Sequence, residues 1–119
     1  MPTLAVRDDQ LVVLFSGRQA VMALARQVTV PVGDITAVSV VPDGCDIELG
    51  LRIGGTGIPR RLAFGRFRRR GGIKTFAAVY CGTPALVIDT AGGDWDRLVL
   101  TLDDVPSAAA QVRAAAGLQ

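Results

Sequence analysis

The sequence predicts a mainly β fold: about seven short strands forming a small antiparallel barrel or two-sheet sandwich, capped by a C-terminal α-helix. Three observations lead there. Short apolar runs rich in Val, Ile, Leu and Phe recur along the chain. Turn signals built from Gly, Pro and Asp separate them every eight to twelve residues or so. The C-terminal segment instead places Val105, Ala109, Val112 and Ala116 on one helical face.

Size and composition fit one domain spanning residues 1–119. Half of the residues are apolar and the mean hydropathy is +0.38. A chain of this length buries roughly two-thirds of its unfolded surface, enough to fold without a metal or disulfides.

Residues 10–15 (QLVVLF) read as the first strand. Ser16 and Gln19 then fit an S-x-x-Q capping box, with Phe15 and Ala20 as a weak hydrophobic staple. A short helix near residues 17–25 follows, with Val21, Leu24 and Ala25 at helical spacing; a continued strand through 21–24 is the alternative. Val28, Val30 and Val32 alternate with Thr29 and Pro31, and Pro31 points to an edge or bulge. A Gly33-Asp34 turn would join this strand to ITAVSVV (residues 35–41) as a hairpin.

After the Pro42-Asp43-Gly44 turn, Cys45, Ile47, Leu49, Leu51 and Ile53 alternate with polar or small residues and predict a half-buried strand. The G-G-T-G-I-P loop (residues 54–59) reads as a bend. Residues 62–69 and 73–80 form a predicted hairpin around Arg70-Gly71-Gly72, whose glycines supply positive φ. Short strands at 85–89 and 95–101 complete the set. Asp103 and Asp104 are good caps for the final helix, Pro106 sits in its first turn and Gly117 ends it.

The charge is unevenly distributed. The net value is only +2, yet no acidic residue lies between Leu49 and Ile88. That stretch holds Arg52, Arg60, Arg61, Arg66, Arg68, Arg69, Arg70 and Lys74, eight of the thirteen basic residues. Such asymmetry points to an anionic partner. Cys45 and Cys81 read as small buried hydrophobes in a reducing compartment, with a lone disulfide as the weaker alternative. Arg7, Asp8, Asp9 and Gln10 interrupt any N-terminal signal sequence, and no apolar run approaches the ~20 residues of a membrane span. The expected location is therefore cytoplasmic, peripheral to a membrane at most.

Catalytic chemistry finds little material. The chain has no histidine, which removes the commonest base, the commonest metal ligand and both Ser-His and Cys-His nucleophile pairs. The carboxylates sit mostly in turns, where capping accounts for them. The glycine-rich loop lacks a phosphate-loop pattern; an anion nest aided by Arg60 and Arg61 is its only functional reading. No catalytic residue, metal or cofactor is expected.

The run Arg66-Phe67-Arg68-Arg69-Arg70 is the sharpest feature. On a strand, Arg66 and Arg68 share one face and Arg69 lies opposite. The forked guanidinium donates two parallel hydrogen bonds to a phosphate or carboxylate. The competing reading is a solvated hairpin tip that guards a strand edge. Nucleic-acid binding is disfavoured, because the six aromatic residues are mostly needed for the core.

LRIGGTGIP (residues 51–59), GRFRRRGGIKTFAAV (65–79), PALVI (84–88) and WDRLVLTLDD (95–104) together resemble a family of small bacterial pleckstrin-homology-like proteins. The likeness extends to SGRQAVMAL (16–24) and VTVPV (28–32). It implies a seven-stranded, two-sheet barrel with a capping C-terminal helix, and it supplies no catalytic residues. Relatives often read G-T-G-I-P-G, whereas Arg60 follows Pro59 here.

Residues and resemblance combine into one expectation: a non-catalytic binding domain. Its ligand surface would comprise Arg60, Arg61, Arg66, Arg68, Arg69, Arg70 and Lys74. The partner would be an anionic membrane surface, a phosphorylated ligand or an acidic protein. The alternative is a self-association or protein-interaction module using strand edges or the helix face, with a homodimer as one form.

Overall fold

The computed structural model describes residues 2–47 and 49–118. Among them, nine strands form two sheets. Strands β1 (Thr3–Arg7), β2 (Gln10–Leu14) and β3 (Gln27–Pro31) make a three-stranded antiparallel sheet. The larger sheet has the order β4-β8-β9-β7-β6-β5, built from β4 (Ile35–Val41), β5 (Leu51–Ile58), β6 (Leu62–Arg68), β7 (Lys74–Tyr80), β8 (Ala85–Thr90) and β9 (Arg97–Leu100). Helix α1 (Gly17–Ala23) links β2 to β3, and α2 (Val105–Ala116) closes the chain.

The mainly β composition and the C-terminal helix match the expectation, but the sheets do not close into a barrel among the described residues. Nor is the pairing wholly antiparallel. Strand β9 inserts between β7 and β8 and pairs parallel to β7. Strand β8 itself serves as the crossover that a parallel pair requires.

The expected 28–41 hairpin is not formed. Strand β3 pairs with β2, and β4 pairs with β8. A 3-10 turn, Val32–Asp34, carries the chain from one sheet to the other. The Val32 amide donates to Asp9 O in the small sheet, and Asp34 O accepts from the Ala91 amide in the large one. Strand β1 was absent from the sequence reading. It is fixed to β2 by the two-residue Asp8–Asp9 turn, with φ of 50° and 61°. Asp tolerates this conformation because its short side chain can bond locally.

The strand expected over residues 45–53 forms only from Leu51 onward. Gly44–Asp46 is a 3-10 turn, with the Asp43 carboxylate accepting from the Cys45 amide. Glu48 lies outside the described residues. The alternation did report one-sided burial: Cys45, Ile47 and Leu49 all pack on the large sheet. They do so as a covering loop with no ladder partner.

The glycine loop expected to bend is instead strand β5. Gly55 and Gly65 face each other across β5 and β6, with φ of 107° and 128°. A methyl group on Gly55 would overlap the Phe64 carbonyl oxygen, and one on Gly65 would overlap that of Gly54. The glycines thus permit a strand approach that any side chain would block.

The two cysteines are joined as a Cys45–Cys81 disulfide, which corrects the expectation of free thiols. The bond links residues 36 apart and so removes unfolded-chain entropy worth roughly 4 kcal/mol.

Helix α1 forms where expected, with Phe15 buried and Ala20 against the core, but Ser16 makes no side-chain cap. At α2, Asp104 is the cap and Gly117 ends the helix with φ of 73°. Val105, Ala109 and Val112 are buried as their spacing predicts. Arg113 reaches across to donate to Val38 O at 2.9 Å, seating the helix on β4. The main core lies between the two sheets and α2 and is centred on Leu11, Val13, Phe64, Phe76, Leu98 and Leu100.

Two outcomes follow. Gly65→Ala should lower unfolding free energy by about 3 kcal/mol in urea titrations. Gly71→Ala has open space around its added methyl and should lose only about 1 kcal/mol. Equal losses would contradict the close-approach account.

The Asp104 carboxylate accepts from the Ser107 amide at 3.1 Å and the Ser107 hydroxyl at 2.8 Å. These bonds, the backbone one foremost, hold its pKa below the ordinary value of 3.8. A depressed folded pKa stabilises the fold above the unfolded value and loses that effect as pH falls through the folded one. Melting temperatures of native and Asp104→Asn protein should therefore differ by a constant amount from pH 7 to about pH 5 and converge below about pH 4. A gap unchanged at acid pH would show that the charge contributes nothing.

Candidate functional site: a cationic cleft at the end of β6

Strand β6 alternates between two environments. Its even-numbered residues face the main core, where Phe64 is fully buried; Phe67 faces the second apolar cluster on the other side of the large sheet. Arg66 and Arg68 share the face of Phe64, as the strand period predicts. Both are exposed, so the core-side cover has ended where they stand. They pair with Phe76 and Lys74 on β7 and with Gly54 and Leu51 on β5.

Arg66, Arg68 and Lys74 line a cleft of about 270 Å³ with Ile53, Asp94 and Trp95. Trp95 forms the wall toward the core. It meets Phe76 edge-on at 5.2 Å, and Phe76 meets Phe15 at 5.5 Å, so the indole is braced by a row of rings. The Arg66 guanidinium carbon lies 6.0 Å from the indole centroid, at the outer limit of a cation–π contact.

Backbone bonds hold these parts in register. The Lys74 amide donates to Asp96 Oδ2 at 2.8 Å, and the Asp96 amide donates to Lys74 O at 2.8 Å. The Thr90 hydroxyl donates to Trp95 O. Asp89 and Arg97 pair at 2.7 Å one strand further on. Their charges are therefore engaged away from the cleft.

The expected ligand surface divides. Arg69 and Arg70 extend it at the hairpin tip, where they line a notch of about 420 Å³ with Gly50, Leu51 and Arg68. Arg69 is half-buried and its amide donates to Ile73 O at 3.0 Å. Arg60 and Arg61 stand in the β5–β6 turn at the opposite end of β6, roughly 20 Å away at strand rise. The structure thus unites Arg66, Arg68, Arg69, Arg70 and Lys74 and separates Arg60 and Arg61 from them. The anion nest is not built either, because residues 54–58 are paired as strand β5.

Sequence reasoning missed Trp95, Asp94 and the exposed Leu51 and Ile53 beside the arginines. The only tryptophan, directly after a Gly-Gly-Asp turn, was a usable signal, but it reads equally well as a core residue opening a strand. The alternation predicts Leu51 and Ile53 on the buried face of a strand; they are 72% and 58% exposed.

The cleft's lining is mixed in character. It presents cationic donors, an aromatic wall and one exposed carboxylate, Asp94. Among the described residues no three His, Cys, Asp or Glu side chains gather as metal ligands. No helix among them is long and apolar enough to cross a membrane.

Comparison of the chain with family models, with characterised proteins and with solved structures found no match.

The cleft's field can be read directly through Trp95. Iodide should quench its fluorescence more efficiently than caesium, because the guanidiniums gather anions at the indole. The order should reverse in Arg66→Glu/Arg68→Glu. Equal quenching by both ions in the native protein would contradict a cationic cleft.

Proposed function

We propose that this protein is a non-catalytic binding module of pleckstrin-homology-like architecture that docks on anionic membrane surfaces through the β6–β7 end of its large sheet. The observation that carries this reading is the convergence of Arg66, Arg68 and Lys74 on one cleft, with exposed Leu51 and Ile53 beside them. Cations flanking protruding aliphatic side chains suit a surface that is anionic at its headgroups and apolar just beneath.

Magnitudes support the combination rather than either part. Each basic residue near an anionic surface contributes roughly 1 kcal/mol. Arg66, Arg68, Arg70 and Lys74 together would supply about 4 kcal/mol, a millimolar affinity. Burying Leu51 and Ile53 would add about 1.5–3 kcal/mol each and bring binding into the micromolar range. Asp94 opposes an anion in the cleft, so the site favours a diffuse anionic surface over one deeply held phosphate.

A second reading is favoured by different residues. The outer edge of β5 has no strand partner among the described residues, and Val21 on α1 and Leu24 just past its end stand 73% and 65% exposed. Self-association through that edge would give dimers insensitive to salt.

Sedimentation with phosphatidylserine-containing and neutral vesicles separates these readings. The protein should pellet with the anionic vesicles alone. Binding should fall steeply between about 50 and 300 mM salt and disappear in a variant with Arg66, Arg68 and Arg70 changed to Glu. Equal binding to neutral vesicles, or none at low salt, would contradict the proposal. A salt-insensitive dimer without vesicle binding would support the second reading.

A further inference from the structure

The Cys45–Cys81 disulfide stands where a reagent can reach it. Both cysteines are only half-buried, and both line an open groove of about 300 Å³ with Leu49, Ile58, Pro59 and Arg60. The bond fastens an unusual piece of structure. The second apolar cluster, with Phe67, Ala77, Val79, Ala85, Val87 and Val99 on the large sheet, is covered by Val41, Cys45, Ile47 and Leu49. Beyond Val41, which ends β4, that cover is a loop with one 3-10 turn and not a further strand layer among the described residues.

Its other fastenings are few. Gly44 lies flat on the sheet, where an added methyl would come within 2.8 Å of Val79 and 3.0 Å of Ala85, and its amide donates to Thr83 O at 3.1 Å. Asp43 bonds within the loop, its carboxylate accepting from the Cys45 amide at 2.9 Å and its carbonyl oxygen from the Asp46 amide at 3.1 Å. The strands beneath are tied by full ladders on both sides. Segments with few buried contacts and few backbone bonds open first.

We infer that Cys45–Cys81 is a thiol-exchange site, and that its reduction releases residues 42–47 from the second face of the large sheet while the sheets stay folded. The chemistry closes with an external dithiol as co-reactant. One of its thiolates attacks Sγ of either cysteine, forming a mixed disulfide, and the other cysteine leaves as a thiolate that takes a proton. The second external thiolate then displaces the bound cysteine, which is protonated in turn, and the reagent departs as its own disulfide. The protein disulfide gains two electrons and two protons, and the dithiol loses both. Arg60 in the same groove favours the thiolate leaving group. The consequence is an apolar sheet face uncovered next to β5 and the arginine hairpin, so the redox state governs a surface as well as a bond.

The test uses the native chain with dithiothreitol and no denaturant or ligand, so its outcome is independent of membrane binding. Iodoacetamide should label both cysteines after mild reduction. Hydrogen exchange of the 43–47 amides should accelerate by about tenfold or more, while β7, β8 and β9 amides and the far-UV circular dichroism stay unchanged. Cys45→Ser/Cys81→Ser should show the same fast loop exchange without reductant. A disulfide that resists reduction until the protein unfolds would overturn the exchange site. Global loss of protection on reduction, or loop amides that stay protected in the reduced protein and the double variant, would overturn the release.

Discussion

The inner strands β8, β9 and β7 of the six-stranded sheet are apolar on both faces, and the rest of the molecule answers that constraint. Residues 75–79 of β7, 85–88 of β8 and 98–100 of β9 are buried without interruption. Continuous burial differs from the alternation of a sheet with one wet face, and it demands two covers. The three-stranded sheet and α2 supply one of them, with Leu11, Val13, Val105, Ala109 and Val112 meeting Phe64, Phe76, Leu98 and Leu100. Val41 at the end of β4, with Cys45, Ile47 and Leu49 after it, supplies the other, held by the disulfide. Where the first cover stops, Arg66 and Arg68 emerge on the core-side face and the cleft begins.

Much of this was legible where local chemistry and burial agree. The Arg70-Gly71-Gly72 hairpin, the cap and apolar face of α2, and the short helix after Phe15 all rest on signals within a few residues. The errors came from long-range pairing. The Val-rich segments around Gly33-Asp34 look like a hairpin, yet each finds a better partner in a different sheet, and Val32 and Asp34 anchor the crossing. The glycines of β5 look like a bend, because nothing local reveals that Gly65 waits opposite Gly55. The alternation from Cys45 to Leu49 was a true burial signal, but a loop pressed on a sheet buries alternate residues as a strand does.

The candidate site shows the same division. The shared face of Arg66 and Arg68 follows from the period of two. Grouping Arg60 and Arg61 with them followed only from closeness in sequence, and a strand of seven residues places them at opposite ends. Trp95 and Asp94 reach the cleft because β9 inserts beside β7, a topological fact that no run of residues announces. The disulfide likewise depends on the covering loop meeting the β7–β8 turn, where Gly44 bonds to Thr83 O. A bond of that kind persists most readily outside a strongly reducing compartment, and exchange would couple it to the local thiol pool.

The central claim is that anions gather where β6 outruns its cover. Its most direct measurement is an amide and indole chemical-shift titration with soluble glycerophosphoserine at low salt. The account predicts shifts confined to residues 66–70, Lys74 and the Trp95 indole N–H, all reversed by added salt. Shifts centred on Arg60 and Arg61, or none at any of these positions, would contradict it.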